Sequence, residues 1–331
     1  MILPDNEIPG VVRSILGLGP GDRLELTAMS RRGSERNFFR AELQGSSVIV
    51  VNYSPGREEN LYFADIARFL NSIGVPVPAI IAHDDSRHIV IMSDLGDSDL
   101  WSYRTSPWDM RRALYRSSLE IVWRLHRYPA EKAAVKMMPG FSPDVYRWER
   151  DYFRENFVRD FCSLEIDPPD SARLEEELKS LSERIAASGS CLIHRDLQSQ
   201  NVMVLNSQPY LIDFQGMRTG SFFYDLASFL YDPYVTFGDE ERLELLDYYY
   251  GISGCVLDWP YFTRMFNESA AQRLMQSLGA YGFLGLKKGL TSFLEHIPAA
   301  LENLINACGK SGELPLLQET AYRCRGKLKL P

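Results

Sequence analysis

Two short apolar segments within residues 191–234 each end in a carboxylate, and this arrangement restricts the possible fold more than any other feature of the chain. The first segment ends at Asp196 and is followed by a polar loop that ends at Asn201. Residues 202–212 have the pattern of a β-hairpin with a polar turn, and Asp213 follows its second strand directly. The sequence therefore predicts that two carboxylates and one amide lie close together at the ends of a small hairpin.

Two carboxylates and an amide in one place are the groups that phosphoryl transfer from ATP uses. One carboxylate orients the attacking hydroxyl and accepts its proton, while the amide and the second carboxylate hold Mg²⁺ on the phosphates. Mg²⁺ prefers oxygen ligands and keeps several waters, so few protein oxygens are needed once ATP supplies its own. We therefore predict Asp196 as the catalytic base, Asn201 and Asp213 as metal ligands, and ATP and Mg²⁺ as cofactors. Each residue alone could equally be a turn or strand-end residue, but their order and spacing favour the site.

The motifs HRDLQSQN and DFQ, followed by YDLASFLYDPYV, resemble the kinase superfamily and specifically its aminoglycoside phosphotransferase and choline kinase branch. The resemblance is closest to the bacterial anomeric kinases of N-acetylmuramate and N-acetylglucosamine, and it covers most of the chain. It implies an α+β, protein-kinase-like fold of two lobes. The N-terminal lobe, expected over residues 1–95, would hold a small antiparallel sheet that covers the nucleotide, and residues 96–331 would form a mainly helical catalytic and substrate-binding lobe.

The resemblance also implies a function. It predicts an ATP- and Mg²⁺-dependent phosphotransferase that acts on a hydroxyl of a small molecule, with an amino sugar phosphorylated at its anomeric hydroxyl as the first expectation. An aminoglycoside or a choline-like acceptor is the alternative within the same branch. A nucleotide-binding scaffold with impaired catalysis is an alternative of another class.

Nucleotide contacts are predicted at two places in the front part of the chain. The polar turn at residues 30–37 can fold over a triphosphate and offer backbone N–H groups, although an ordinary hairpin turn has the same composition. A connector between the lobes, near the end of the last predicted strand, can meet the adenine edge, although a strand-ending loop without a ligand would have the same sequence. The predicted contacts are Gly33, Ser34, Arg36 and Asn37 in the turn and Ser93, Asp94 and Leu95 in the connector.

The third predicted strand departs from the kinase pattern. Most kinases place there a lysine that holds the α- and β-phosphates, whereas this chain has Val51 or Asn52. No cation occurs between Arg40 and Arg57. The sequence leaves open whether Arg36, Arg40 or Arg57 supplies the charge, or whether the chain binds nucleotide poorly, as an impaired scaffold would.

Further side chains of the second lobe are predicted to contact the acceptor or to support the catalytic loop. A carboxylate is unfavourable at a helix C-terminus unless it has a partner, which makes Asp232 a candidate for gripping a sugar. The resemblance implies an acceptor contact at Glu149, although a solvated helix face would explain this residue as well. Acceptor contacts are also expected from Gln215 and Asp232, and support of the loop from His194, Arg195 and Asp225. His126 is expected in the core, and Arg273 in a salt bridge or at an anionic group of the substrate.

Apolar periodicity and turn residues predict the surrounding elements. Helices are expected near 8–18, 58–72, 108–128, 143–158, 174–185 and 225–232, and strands within 24–28, 38–43, 47–53, 79–83 and 88–93. Ser106 and Ser142 are predicted to cap the two helices that follow them.

Composition excludes several classes of protein. The net charge of −8 argues against nucleic acid as a partner. Five cysteines without C-x-x-C spacing argue against a disulfide framework or a zinc site and favour the cytoplasm. No apolar run approaches a bilayer's thickness, and the first residues are unlike a signal peptide, so no membrane partner is expected.

Overall fold

A five-stranded antiparallel sheet occupies the first part of the chain in the computed structural model, which describes residues 3–29 and 36–328. Its elements are α1 (Ile8–Leu16), β1 (Glu25–Ala28), β2 (Asn37–Leu43), β3 (Ser46–Asn52), α2 (Glu58–Ser72), β4 (Ile80–Asp84) and β5 (Ile89–Ser93). The strand order is β1-β2-β3-β5-β4. The five predicted strands and both helices are present within one or two residues of their predicted bounds. Gly33 and Ser34 lie outside the described residues.

The alternation of side chains along β3 decides what each face of the sheet can hold. Val48 and Val50 pack with Ile8 and Val12 of α1, whereas Ile49 and Val51 join the main core beneath α2. Val51, at the position considered for a lysine, is only 2% exposed. Asn52 points to the other face, where its Nδ2 donates to the Leu3 carbonyl at 2.9 Å. Positions 51 and 52 are therefore both buried, Val51 in the apolar core and Asn52 in a hydrogen bond.

The rest of the chain is mainly helical. Its elements are α3 (Trp108–His126), α4 (Pro143–Phe153), α5 (Pro168–Ala187), β6 (Cys191–Ile193), β7 (Val202–Leu205), β8 (Gln208–Leu211), β9 (Arg218–Gly220), α6 (Phe222–Leu230), α7 (Asp239–Ser253), α8 (Trp259–Gly282), α9 (Ile297–Ser311) and α10 (Pro315–Arg325). The predicted two-lobe architecture is confirmed in its small antiparallel sheet and its mainly helical part. The boundary predicted after residue 95 stays a prediction. In the described ranges, no helix combines the length and apolarity needed to cross a bilayer.

Two helix starts separate correct from incorrect capping predictions. Ser142 caps α4, because its hydroxyl oxygen accepts a hydrogen bond from the Val145 N–H at 3.3 Å. The capping prediction for Ser106 is wrong. Pro107 occupies the N-cap position of α3, so the hydroxyl of Ser106 lies one residue too early to reach the first turn. The helix after the hairpin begins at Phe222, which places Asp225 in its first turn.

Helix α8 is the centre of the second lobe and packs against α4, α6 and α9. Glycines permit the close approach on the α4 side. A Cβ on Gly282 would lie 2.3 Å from the carbonyl oxygen of Asn156, a backbone atom that cannot move aside as a flexible side chain could. The two backbones therefore touch where a larger residue would force them apart.

Gly282→Ala should destabilise the fold, since overpacking against backbone costs about 1–3 kcal/mol. Gly251→Ala is the matched control, because the exposed Gly251 in α7 has open space around its Cβ position. There, alanine should add about 0.4–1 kcal/mol of stability. Urea unfolding of the two variants and the wild type measures both effects. Equal stability of the two variants would contradict the packing of α8 on the segment after α4.

Candidate active site

Three hydrogen bonds link the catalytic-loop residues to the hairpin and bring the predicted groups together. The Asn201 Nδ2 donates to the backbone carbonyl of Asp196 at 2.8 Å. The Ile212 N–H donates to the Asn201 carbonyl at 2.9 Å, and His194 Nε2 donates to the Ile212 carbonyl at 2.9 Å. Because Ile212 immediately precedes Asp213, these bonds connect the base candidate with both metal-ligand candidates.

A buried carboxylate fixes the start of the catalytic loop. Asp225 accepts hydrogen bonds from the backbone N–H groups of His194 at 2.7 Å and Arg195 at 2.8 Å. Its third partner is His126 Nε2 at 3.1 Å, and His126 is buried as predicted. Arg195 has φ +77°, a left-handed conformation that is unfavourable for arginine, so the loop needs such bonds to hold its shape. The hydrogen bonds from Asp225 back to the loop are those that the sequence predicted.

A second buried carboxylate holds the middle of the loop. Asp232 accepts hydrogen bonds from the Ser199 N–H at 2.8 Å, the Ser199 hydroxyl at 2.5 Å and the Tyr234 N–H at 3.0 Å. Burial raises its pKa to about 6 against the effect of these bonds. Asp232 lies just after the end of α6, where a carboxylate needs a hydrogen-bonding partner, and Ser199 of the loop is that partner. The side chain of Asp232 has no exposed surface in this structure, and its predicted contact with an acceptor stays a prediction.

The two other predicted acceptor contacts are also buried. Glu149 accepts from the Tyr224 hydroxyl at 2.7 Å and from Gln272 Nε2 at 2.9 Å. Burial raises its pKa above the ordinary value despite the nearby charge of Arg195. Gln215 is 5% exposed, and its Nε2 donates to Asp213 Oδ1 at 3.0 Å. In this structure Glu149 bonds to side chains of α6 and α8 and Gln215 bonds to Asp213, and the acceptor contacts predicted for both stay predictions.

Two contacts position Asp213: the packing of the next residue, Phe214, and an ion pair with Arg36. Phe214 stacks on Phe63 of α2, with ring centroids 4.9 Å apart. Arg36, just before β2, donates to Asp213 Oδ1. Burial opposes ionisation of Asp213, but the charge of Arg36 and its hydrogen bonds hold the pKa of Asp213 below the ordinary value. The carboxylate is therefore kept in the ionised form that a metal ligand needs.

The three arginines considered as substitutes for the strand lysine have different positions. Arg40 is held by Asp94 at 2.7 Å and Asp97 at 2.7 Å, beside the connector between the lobes. Arg57 lies 3.8 Å from Glu59, and its side chain is half exposed. Only Arg36, among these three, hydrogen-bonds to a predicted metal ligand.

The remaining nucleotide-contact candidates lie on two parts of the sheet lobe. Asn37 begins β2, and its Nδ2 lies 3.5 Å from Asp5 Oδ1. Ser93 ends β5 with its hydroxyl accepting from the Ala79 N–H at 2.9 Å. The Asp94 carboxylate is occupied by Arg40 and by the Ser47 hydroxyl at 2.8 Å. A nucleotide contact at Asp94 would therefore use the backbone, as it would at Leu95, and all four contacts stay predictions.

The sequence predicted a salt bridge as one role of Arg273 but did not identify Asp196 as its partner. Arg273, from the middle of α8, donates from Nη2 to Asp196 Oδ1 at 2.5 Å. The available signal was a guanidinium within an apolar helix run, since a buried charge needs a partner. The identity of that partner could not be read locally, because the two residues are 77 positions apart.

Residues 25–260 match the model of a family described as the phosphotransferase enzyme family. The chain belongs to the phosphotransferase enzyme family. The family resemblance stated from the sequence and the predicted enzyme class, a small-molecule kinase, are confirmed.

Two curated relatives of this phosphotransferase are named N-acetylmuramate/N-acetylglucosamine kinase. The Pseudomonas putida protein is 24% identical over 300 residues, which cover 89% of this chain and 86% of the relative. The Pseudomonas aeruginosa protein is 24% identical over 308 residues, which cover 92% of this chain and 89% of the relative. The relatives therefore match this chain over most of their own length.

Solved structures share the fold of this phosphotransferase. A choline/ethanolamine kinase family protein from Mesorhizobium loti superimposes with a TM-score of 0.65 at 15% identity, covering 95% of this chain and 99% of that one. The choline kinase LicA from Streptococcus pneumoniae gives a TM-score of 0.61 at 14% identity, with 91% and 99% covered. These likenesses confirm the protein-kinase-like fold class.

The burial of Asp232 predicts a specific pH dependence of stability. The folded protein holds a proton on this carboxyl up to about pH 6, whereas the unfolded chain releases it near pH 4. The stabilising contribution is thus complete below about pH 4 and is lost as the pH rises through about 6. Relative to Asp232→Asn, the wild type should lose roughly 1–3 kcal/mol of unfolding free energy between pH 4 and pH 7. Urea unfolding of both proteins across this range measures it, and a pH-independent difference would contradict the raised pKa.

Proposed function

We propose that this phosphotransferase transfers the γ-phosphoryl group of ATP, with Mg²⁺, to the anomeric hydroxyl of an amino sugar. The observation that carries the proposal is the hydrogen-bonded connection of Asp196, Asn201 and Asp213 in one loop and hairpin. The names of the curated relatives support N-acetylmuramate and N-acetylglucosamine as acceptors. A solved neighbour of the same fold, the ternary complex of streptomycin, ATP and APH(2″)-IIa, supports ATP as the donor.

Asp196 is the proposed catalytic base. Its side chain is 28% exposed, whereas the carboxylates Asp225 and Asp232 are fully buried, so Asp196 has the accessible side chain of these three in this structure. An anomeric hydroxyl is more acidic than an ordinary alcohol. The base therefore needs to orient the hydroxyl and to exert a modest pull, so that positioning and electrostatics supply most of the catalysis.

Asn201 and Asp213 would hold the metal ion. The Asn201 Nδ2 is used on the Asp196 carbonyl, which leaves the amide oxygen as the atom available to a hard cation. Within the described residues, no three His, Cys, Asp or Glu side chains group as a metal site. An oxygen-only pair fits Mg²⁺, whose other ligands would be phosphate oxygens and water. The bound ion would neutralise charge on the transferring phosphates.

Arg36 is the proposed substitute for the strand lysine. It contacts Asp213, so it lies next to any phosphate held on a metal at that carboxylate. Its guanidinium carries a permanent charge and a planar set of donors suited to phosphate oxygens. Asn37, Ser93, Asp94 and Leu95 are proposed as further nucleotide contacts, the last three through their backbone.

The function is tested by phosphorus NMR of reactions with ATP and Mg²⁺. N-acetylglucosamine and N-acetylmuramate should each give a phosphate coupled to the anomeric carbon, whereas a methyl glycoside of N-acetylglucosamine should give none. Asp196→Asn should lower kcat by about 10²–10⁴-fold and leave ATP affinity unchanged. The exposed Asp109→Asn, which removes the same charge from α3, is the matched control.

Other outcomes of that screen identify the alternatives. Phosphorylation of an aminoglycoside or of choline instead of the sugars would replace the acceptor class and keep the reaction. Absence of turnover with every acceptor, together with retained ATP binding, would favour the impaired scaffold.

Replacing Arg36 tests how the phosphates are held. Arg36→Gln should weaken binding of a non-hydrolysable ATP analogue with Mg²⁺ by about 10–100-fold, since hydrogen bonds to charged groups contribute about 1.5–3 kcal/mol. Arg40→Gln and Arg57→Gln are the controls, because their guanidinium groups pair elsewhere, and each should change affinity less than Arg36→Gln. Isothermal titration calorimetry measures all three. A loss confined to Arg40 or Arg57 would transfer the role to that residue.

A further inference from the structure

A buried guanidinium holds one oxygen of the base candidate. Arg273 is 5% exposed and donates from Nη2 to Asp196 Oδ1 at 2.5 Å. Its other donors are also used: Nε donates to the Ser228 hydroxyl of α6 at 3.1 Å, and Nη1 donates to Ser277 at 2.7 Å and to Gln276. The guanidinium is therefore fixed by two helices on the sides that do not face Asp196.

Arg273 contacts only one of the two carboxylate oxygens of Asp196. Among the described residues, no hydrogen-bond donor contacts Asp196 Oδ2, and the side chain keeps 28% of its surface. A second acidic side chain of the same region, Glu149, is satisfied by Tyr224 and Gln272. The ion pair thus uses one oxygen of the base and leaves the other accessible.

We propose that Arg273 is a positioning residue of the phosphoryl transfer, which fixes Asp196 through Oδ1 so that Oδ2 faces the acceptor hydroxyl. This inference rests on the proposed function, since it takes Asp196 as the base. A rigid fork suits the task, because one planar group can bind Asp196 and the two serines simultaneously, which a lysine cannot do. A small displacement of a catalytic group is expected to lower the rate about 10²-fold.

A purely structural ion pair is the competing explanation. Removing one member of a buried pair leaves a charge without compensation and destabilises the fold. That effect would lower the amount of active protein without a specific change in kcat. The two explanations therefore differ in which measured quantity changes.

The experiment is a double-mutant cycle with kcat, KM for sugar, KM for ATP and Tm measured for each protein. Arg273→Met should lower kcat about 10–100-fold with both KM values within about twofold. Arg273→Lys should recover part of the loss. In an Asp196→Asn background Arg273→Met should add less than about twofold, because residues that act as a unit are not additive.

Two further variants keep the cycle interpretable. Arg264→Gln is the matched control, since Arg264 lies on the same helix, pairs with Glu268 and Glu313, and should leave kcat unchanged. Ser277→Ala removes one bond to Arg273 while keeping its charge, and it should lower kcat without a change in Tm, even if Arg273→Met does not fold.

The outcomes separate the two levels of the proposal. If Asp196→Asn lowers kcat as expected and Arg273→Met causes its full additional loss in that background, the role of Arg273 is overturned and the proposed function stands. The same holds if Ser277→Ala leaves kcat unchanged. If Asp196→Asn retains turnover, the base assignment fails and the role of Arg273 falls with it.

Discussion

Two buried carboxylates around α6 hold the catalytic loop, and the rest of the site depends on them. Asp225 binds the backbone at its start and Asp232 binds Ser199 in its middle. Fixing a loop backbone costs about 1–2 kcal/mol per residue, so a polar loop does not keep one conformation without such bonds. Hydrogen bonds to a charged group contribute about 1.5–3 kcal/mol each and are stronger where water is excluded. Helix α6 and the residues directly after it thereby fix the position of the base candidate relative to the hairpin.

The charges of the site follow from the same requirement. Two carboxylates that converge on one place repel each other unless each has a cation. Asp213 has Arg36 from the sheet lobe, and Asp196 has Arg273 from α8. The two cations come from different parts of the fold, so each carboxylate has its own partner. Pairing by side chains of different lobes also makes the arrangement of the acidic groups sensitive to how the lobes meet.

The sequence predicted the features that depend on neighbouring residues and missed those that depend on distant ones. The order of Asp196, Asn201 and Asp213, the sheet and the Ser142 cap are local patterns, and the structure contains them. The burial of Glu149 and Asp232 could not be predicted, because tertiary packing decides it. Arg36 and Asp213 are 177 residues apart, and no periodicity reports such a pair.

The absence of a strand lysine has a structural counterpart in α2. In kinases that lysine pairs with a glutamate of the equivalent helix. Here both glutamates at the start of α2 have other partners. Glu58 accepts a hydrogen bond from the Tyr62 hydroxyl and lies near Lys136, and Glu59 pairs with Arg57.

Within residues 3–29 and 36–328, no ion pair joins the sheet to α2, and apolar packing connects them instead. Val51 and Phe63 belong to one core, and Phe63 stacks on Phe214 beside Asp213. Apolar packing is insensitive to salt and has no desolvation penalty of the kind that a buried ion pair carries. The position of Asp213 is consequently coupled to α2 through an aromatic contact, and the charge that a lysine would bring can come from Arg36 without changing how the two lobes pack.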